Sequence, residues 1–283
     1  MSDILKGKKL AILGSGNMAQ NIGKGLLKSK AMEGGQIALI NPVCPDAAQK
    51  TALELGVLYQ EAAGVKEADI VILAFKPQNF GEAMTMYRPY LHPGQLIISI
   101  LASLTIETME AALPAGCRLI RTMPNLALAV LESATLYSVG SFATAGDEEL
   151  ATAVFGAMGQ FIRISEDKID AATALAGCGP AYLFYLMEGM EEAAVKAGLA
   201  PEPVKAITLH TIYGAARLLL ETGEDFGQMR QKVCSPQGMT IAAIENMGDN
   251  NFYAAILSGF AHYLAHINHS FNVQTVCRFI QNQ

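Results

Sequence analysis

The strongest constraint on this chain is a short apolar run that ends in glycine. Lys9-Leu10-Ala11-Ile12-Leu13 has the composition of a buried strand, and Gly14-Ser15-Gly16-Asn17-Met18-Ala19 follows it at once. From Asn17 to Lys30 the pattern is helical. A glycine turn placed between a strand and a helix is the signature of a dinucleotide-binding loop. Gly14 permits the tight turn, and Gly16 lets the backbone approach a pyrophosphate. Ala19 is small enough for close helix–strand packing. The helix start, running through Ser15, Asn17 and Met18, offers free N–H groups and a partial positive charge to the phosphates.

The rest of the first half alternates strands with helices. Gln36–Ile40, Asp69–Phe75 and Gln95–Ile100 read as strands, as do segments near Arg118–Arg121, Ala134–Val139 and Phe161–Ile164. Asp46–Leu55, Phe80–Tyr90 and Thr105–Ala112 read as helices. This alternation predicts an α/β fold, a Rossmann-type parallel sheet with right-handed crossovers, over residues 1–165. Ligands of such sheets bind at the carboxyl ends of the strands, which makes Asn41, Ala74, Lys76, Pro77 and Asn125 candidate cofactor contacts. Lys76 suits a cofactor phosphate or ribose, or plain solvent. An acid at the end of the second strand would hold a ribose 2′-hydroxyl, and a basic residue a 2′-phosphate. Asn41-Pro42-Val43 is neither, so NADP and NAD both stay open.

Ser165-Glu166-Asp167-Lys168 reads as a helix N-cap with acids in the first turn. It also fits the Ser-x-x-Lys of some hydrolases, but their flanking motifs are absent. Residues 166–283 then read as helical throughout: Ile169–Ala176, Pro180–Ala197, Glu202–Glu221, Thr240–Met247 and Asn251–His269. Stretches such as Ala181-Tyr-Leu-Phe-Tyr-Leu-Met are apolar on every side, so they need burial on every side. A bundle this small has little interior, and two interleaved chains would supply it. The composition agrees: only 16% of residues are charged, against about 25% in ordinary globular proteins.

A net charge of −6 without a basic run argues against nucleic acid. Met1 to Lys9 is polar rather than a signal peptide, and no apolar stretch has the length of a membrane span, so a cytoplasmic location is expected. Five cysteines are scattered without a C-x-x-C pair, which reads as reduced thiols. His262, His266 and His269 share one helical face, but no carboxylate or cysteine joins them, and no metal is expected.

Six further segments carry a family resemblance: Leu73-Ala-Phe-Lys76-Pro77-Gln78, Arg121-Thr-Met-Pro124-Asn125, Asp170-Ala-Ala-Thr-Ala-Leu, Gly177-Cys-Gly179-Pro180-Ala181-Tyr182, Gly214-Ala-Ala and Ser235-Pro236-Gln-Gly238-Met-Thr240. With the glycine turn, their order and spacing resemble Δ1-pyrroline-5-carboxylate reductases from residue 10 to about 265. The resemblance implies a C-terminal all-helical dimerisation domain that intertwines with a second subunit, forming a homodimer or a higher oligomer of dimers. The implied reaction is hydride transfer from a nicotinamide, NADPH by family preference, to a small cyclic imine acid. Thr240 is implied as the catalytic hydrogen-bond partner of the imine nitrogen, with Gly177, Gly179, Pro180, Ser235 and Gly238 around the substrate. Ser235–Thr240 also reads as a turn opening a helix, suited to a carboxylate or simply to capping.

Several positions depart from the family pattern. Asn125-Leu126-Ala127 stands where Asn-Thr-Pro is usual, Leu131 and Ser133 replace glycines, and Leu101-Ala102-Ser103 replaces Ala-Ala-Gly. Cys178 and Cys234 replace hydroxyl residues, and Gln237 replaces glycine. Two other readings therefore remain: a related reductase acting on a different cyclic imine, and a nicotinamide-binding dimer without catalysis.

Overall fold

The computed structural model describes residues 3–271, with side chains from Ile4 to His266. The chain divides into two compact units, Met1–Cys178 and Gly179–Gln283. The first unit holds β1 (Leu10–Leu13), α1 (Asn17–Lys28), β2 (Ile37–Ile40), α2 (Pro45–Leu55), β3 (Leu58–Tyr59) and β4 (Ile70–Leu73). It continues through α3 (Phe80–Tyr87), β5 (Leu96–Ser99), α4 (Ile106–Ala112), β6 (Arg118–Met123), β7 (Ser133–Val139), α5 (Ala145–Phe155), β8 (Gly159–Arg163) and α6 (Ile169–Ala176).

The strand order is β3-β2-β1-β4-β5-β6-β7-β8. The sheet is parallel as expected of a Rossmann-type domain, with one antiparallel pairing, β6 with β7. The reason is the connection: Pro124–Glu132 holds only the short 3-10 helix Leu126–Val130, too little chain for a crossover. Strands β1, β2, β4 and β5 are buried at every residue because helices cover both faces. Side chains alternate between two cores. Leu10 and Ile12 pack with Ile22 and Leu26 of α1 and Phe155 of α5. Ala11 and Leu13 face Met84 and Tyr87 of α3 and Met109 of α4. Each fully buried Leu or Ile contributes about 1.5–3 kcal/mol.

Helix α5 was not anticipated from the sequence, although its start is well marked. Thr144 accepts from the Asp147 N–H, and the Asp147 carboxylate accepts in return from the Thr144 N–H. The same buried carboxylate meets Arg118 at 2.7 Å. At Ser165 the hydroxyl caps no backbone group; it bonds the Asp167 carboxylate, which this bond and Lys168 hold below its ordinary range. By its contacts the first compact unit extends to Cys178. Ile169 of α6 is fully buried against Met123 of β6 and Leu136 of β7, which ties α6 to the sheet.

The second unit comprises α7 (Gly179–Lys196), α8 (Pro201–Thr222), α9 (Phe226–Val233), α10 (Met239–Asp249) and α11 (Phe252–Phe271). The short α9, capped by Asp225 through the N–H groups of Gly227 and Gln228, was also not anticipated. Among the described residues of this unit only Val204 and Thr208 are buried. Phe184, Tyr185, Tyr213 and Leu220 all lie exposed. No helix among the described residues is long and apolar enough to cross a membrane.

Ser103, Leu131 and Gln237 have positive φ (63°, 69° and 58°), at three positions where the family resemblance calls for glycine. A left-handed backbone at a residue other than glycine costs roughly 1–2 kcal/mol per residue. Leu131 offsets that cost by packing against the sheet core. Gln237 is exposed and, among the described residues, makes no side-chain hydrogen bond. Gln237→Gly is therefore expected to raise stability by about 0.5–1 kcal/mol in denaturant titrations. Leu131→Gly should lower it; a destabilised Gln237→Gly would contradict the strain argument.

Candidate active site

The carboxyl ends of β1 and β4 form a glycine-lined notch. The Gly14 N–H donates to the Ile40 carbonyl at 2.9 Å, joining the turn to β2. Gly14 has φ 129°, and a Cβ there would lie 2.3 Å from the Ala74 carbonyl oxygen. Only glycine fits. Gly16 differs: φ is −71°, and a Cβ would meet nothing within 4 Å. Its missing side chain leaves a space open to solvent, directly at the start of α1.

No side chain caps α1 and no acid occupies its first turn, so its leading N–H groups remain available to an anion. Ala19 is fully buried, which explains why a small residue is needed there. Asn41 Nδ2 donates to the Ser15 hydroxyl at 3.0 Å, and Gln20 Nε2 to the Ser15 carbonyl at 2.9 Å. These bonds tie the loop to the end of β2 and to α1. Lys76 and Pro77 follow β4; Lys76 is exposed and has no ion-pair partner among the described residues. The arrangement fits a dinucleotide: a close backbone approach at Gly16, free donors at Asn17, Met18 and Ala19, and a cation at the same sheet edge.

Asn125 sits just beyond β6 and is 7% exposed. Its Oδ1 accepts from the Ala127 N–H at 3.0 Å, and its Nδ2 donates to the Ala176 carbonyl at 2.8 Å. This candidate cofactor contact thus has two side-chain partners inside the first unit. Gly177 closes α6, and its N–H donates to the Thr173 carbonyl at 2.8 Å. Gly179 and Pro180 open α7 in the second unit.

Ser235, Gly238 and Thr240 share one turn of the second unit. The Gly238 N–H donates to the Ser235 carbonyl at 2.9 Å, and with Pro236 next and Gln237 at φ 58° this is a type II turn. A Cβ on Gly238 would lie 2.3 Å from the Ser235 hydroxyl oxygen, so a side chain there would have to displace that hydroxyl. Gly238 is the N-cap of α10 without a side-chain cap. Thr240, in the first turn of α10, is exposed, and its hydroxyl has no partner among the described residues. The turn therefore presents backbone donors and a free hydroxyl together, a combination suited to a small carboxylic acid with a polar group.

Sequence reasoning gave no role to the ion pairs of Arg121, a residue 1% exposed in the middle of β6. Arg121 bonds Glu166 at 2.9 Å and Asp170 at 2.8 Å. An arginine flanked by Leu119, Ile120 and Met123 inside a strand was the available signal. An open cavity of about 820 Å³ near Ser29, Glu148, Thr152 and Arg163 includes none of the expected site residues. Cys44, Cys117, Cys178 and Cys234 are free thiols, and burial pushes the Cys117 thiol up. Cys277 lies outside the described residues. His262 and His266 stack edge to face at 4.4 Å, the His269 side chain is not described, and no metal-binding cluster occurs among the described residues.

Residues 166–268 match the family model described as pyrroline-5-carboxylate reductase dimerisation. Residues 9–103 match one described as NADP oxidoreductase, coenzyme F420-dependent. The chain is 36% identical to pyrroline-5-carboxylate reductase 2 of Bacillus subtilis, over 88% of this chain and 90% of that protein. It is 32% identical to the pyrroline-5-carboxylate reductase of Methanosarcina acetivorans, over 90% and 94%. The solved pyrroline-5-carboxylate reductase of Coxiella burnetii superposes with a TM-score of 0.83 at 31% identity, covering 93% of this chain and 98% of that one. The Plasmodium falciparum pyrroline carboxylate reductase with NADP bound shares the fold, with a TM-score of 0.85 at 24% identity over 93% and 98%. With likeness of this extent across both units, the chain belongs to the pyrroline-5-carboxylate reductase family.

Proposed function

We propose that this chain reduces 1-pyrroline-5-carboxylate to L-proline with NAD(P)H, as a cytoplasmic homodimer joined through its helical unit. The observation that carries the reading is the pairing, in one chain of this family, of the Gly14–Ala19 cradle with the Ser235–Thr240 turn. When bound, the nicotinamide supplies a hydride to the imine carbon. The chain's residues do the rest by placement. Gly16, Asn17, Met18 and Ala19 hold the pyrophosphate, Asn41 and Lys76 flank the adenosine side, and Ala74 and Pro77 shape the sheet edge. The absence of an acid at Asn41-Pro42-Val43 accommodates the 2′-phosphate of NADPH.

The free N–H groups around Gly238, with the Ser235 hydroxyl, receive the substrate carboxylate. Gly177, Gly179 and Pro180 bring backbone close to the ring. The Thr240 hydroxyl hydrogen-bonds the ring nitrogen as the protonated imine becomes an amine. A threonine hydroxyl is too weak to act as a full acid, so the proton arrives with the substrate or from water. A hydrogen bond to a charged group is worth about 1.5–3 kcal/mol. Thr240→Ala should therefore lower kcat about 10- to 100-fold and leave cofactor affinity nearly unchanged in fluorescence titration. An unaltered rate removes Thr240 from the mechanism.

Gln237 supports a second reading. With Leu126 and Ala127 it departs from the family pattern at positions read as close to cofactor and substrate, which leaves room for a related reductase acting on a different cyclic imine. Following NAD(P)H oxidation with the five- and six-membered imine acids separates the readings. Turnover of the larger ring alone favours the second. Tight cofactor binding with no turnover of either favours a binding protein.

A further inference from the structure

Strand β6 and the residues just beyond it grip helix α6 at both ends. At the amino end, the Arg121 guanidinium sends one nitrogen to Glu166 Oε1 at 2.9 Å and the other to Asp170 Oδ1 at 2.8 Å. Glu166 Oε1 also accepts from the Ile106 N–H at 2.9 Å, which ties the start of α4 into the same junction. At the carboxyl end, Asn125 Nδ2 holds the carbonyl of Ala176, the last residue of α6, at 2.8 Å.

A helix of eight residues has little stability alone, so these contacts and its few buried side chains decide where it lies. Immediately beyond it, the N–H groups of Gly177 and Cys178 both donate to the Thr173 carbonyl, at 2.8 and 3.2 Å. The chain leaving the first unit is thus fixed by the same helix.

Stability alone is a poor explanation of this network. An apolar residue at a buried strand position generally stabilises as well as a buried ion pair does. Moreover, Arg121 Nε and Glu166 Oε2 are buried without partners. What the two contacts achieve is a single register of α6 on the sheet.

We propose that Arg121 and Asn125 are positioning residues that set the segment Gly177-Cys178-Gly179-Pro180 for the imine acid. The proposal rests on the reading of that segment as substrate contact. It departs from a direct role for Asn125 at the nicotinamide, and the two make different predictions.

Asn125→Asp discriminates between them. The aspartate keeps an oxygen for the Ala127 N–H but loses the donor to Ala176. In the full-length protein, one such lost bond should raise KM for pyrroline-5-carboxylate about tenfold, with kcat changed less than about threefold and the NADPH Kd within about twofold. Arg121→Met should raise KM similarly, and Arg121→Lys, which retains one ion pair, should recover part of that loss. Amide hydrogen exchange across residues 169–178 should accelerate in Asn125→Asp.

An unchanged KM and unchanged exchange in Asn125→Asp would overturn the proposal. So would an NADPH Kd raised tenfold at constant KM, which assigns Asn125 to the cofactor. If the wild-type protein turns over no pyrroline-5-carboxylate, the functional reading fails by itself. The clamp is then decided by exchange alone, and equal protection in wild type and Asn125→Asp sinks it.

Discussion

Gly14→Ala is expected to abolish measurable NADPH binding and to lower the melting temperature by about 10 °C, whereas Gly16→Ala should weaken binding without moving the melting temperature. Two penalties combine at Gly14. The new Cβ would sit 2.3 Å from the Ala74 carbonyl oxygen and 2.8 Å from its carbon, both backbone atoms. The φ of 129° is also one that side chains rarely adopt. Overpacking costs about 1–3 kcal/mol and backbone strain about as much again. Relief requires parting β1 from β4, where the Ala74 N–H donates to the Leu13 carbonyl at 3.0 Å. At Gly16 the methyl meets no protein atom and the φ of −71° is ordinary, so only a ligand would feel it. Calorimetric melts of the ligand-free protein with NADPH titrations measure both. Normal binding by Gly16→Ala would show that the pyrophosphate does not rest on this turn.

That contrast also marks how far the sequence could be read. The spacing of Leu13, Gly14 and Gly16 announced the strand, the turn and the helix, because each step has a local cause. Four-residue apolar runs such as Ile70–Leu73 announced the buried strands for the same reason. The reversal at β7 was legible in principle, since Pro124–Glu132 is too short for a crossover, but the alternation of strands and helices around it masks the exception. Helix α5 was legible in principle from Thr144 and Asp147, but the capping acid is also the partner of Arg118, twenty-nine residues away. Long-range partners of this kind have no sequence period. The same holds for Arg121 with Glu166 and Asp170, where the motifs were visible and their connection was not.

The site divides along the same line. Gly14, Gly16 and the Ser235–Gly238 turn follow from backbone rules applied locally. The departures from family glycine looked like chemical changes in the sequence. In the structure Ser103, Leu131 and Gln237 adopt the left-handed backbone that glycine favours, so each carries a side chain on a path suited to glycine. Asn125 shows the opposite case: its identity suggested ligand contact, while its geometry links Ala127 to Ala176.

The helical unit supports the second large prediction. A unit with only Val204 and Thr208 buried among its described residues has no core able to offset chain entropy. Its exposed Phe184, Ile207, Tyr213 and Leu220 must find cover, and a stretch apolar on every side, such as residues 181–187 of α7, is covered best by helices of a second copy. Burying an unpaired carboxylate in such an interface costs several kcal/mol. Phe184→Asp combined with Ile207→Asp should therefore halve the mass seen by light scattering, or leave a unit that is cleaved rapidly by protease, and pyrroline-5-carboxylate turnover should disappear with it. Leu53, 82% exposed on α2 of the first unit, provides the comparison. A single apolar residue on a well-packed domain is ordinary surface, so Leu53→Asp should leave mass and activity intact. If the double aspartate variant retains its mass and melts like the wild type, the apolar helices are not an interface, and the buried core they lack must be supplied in another way.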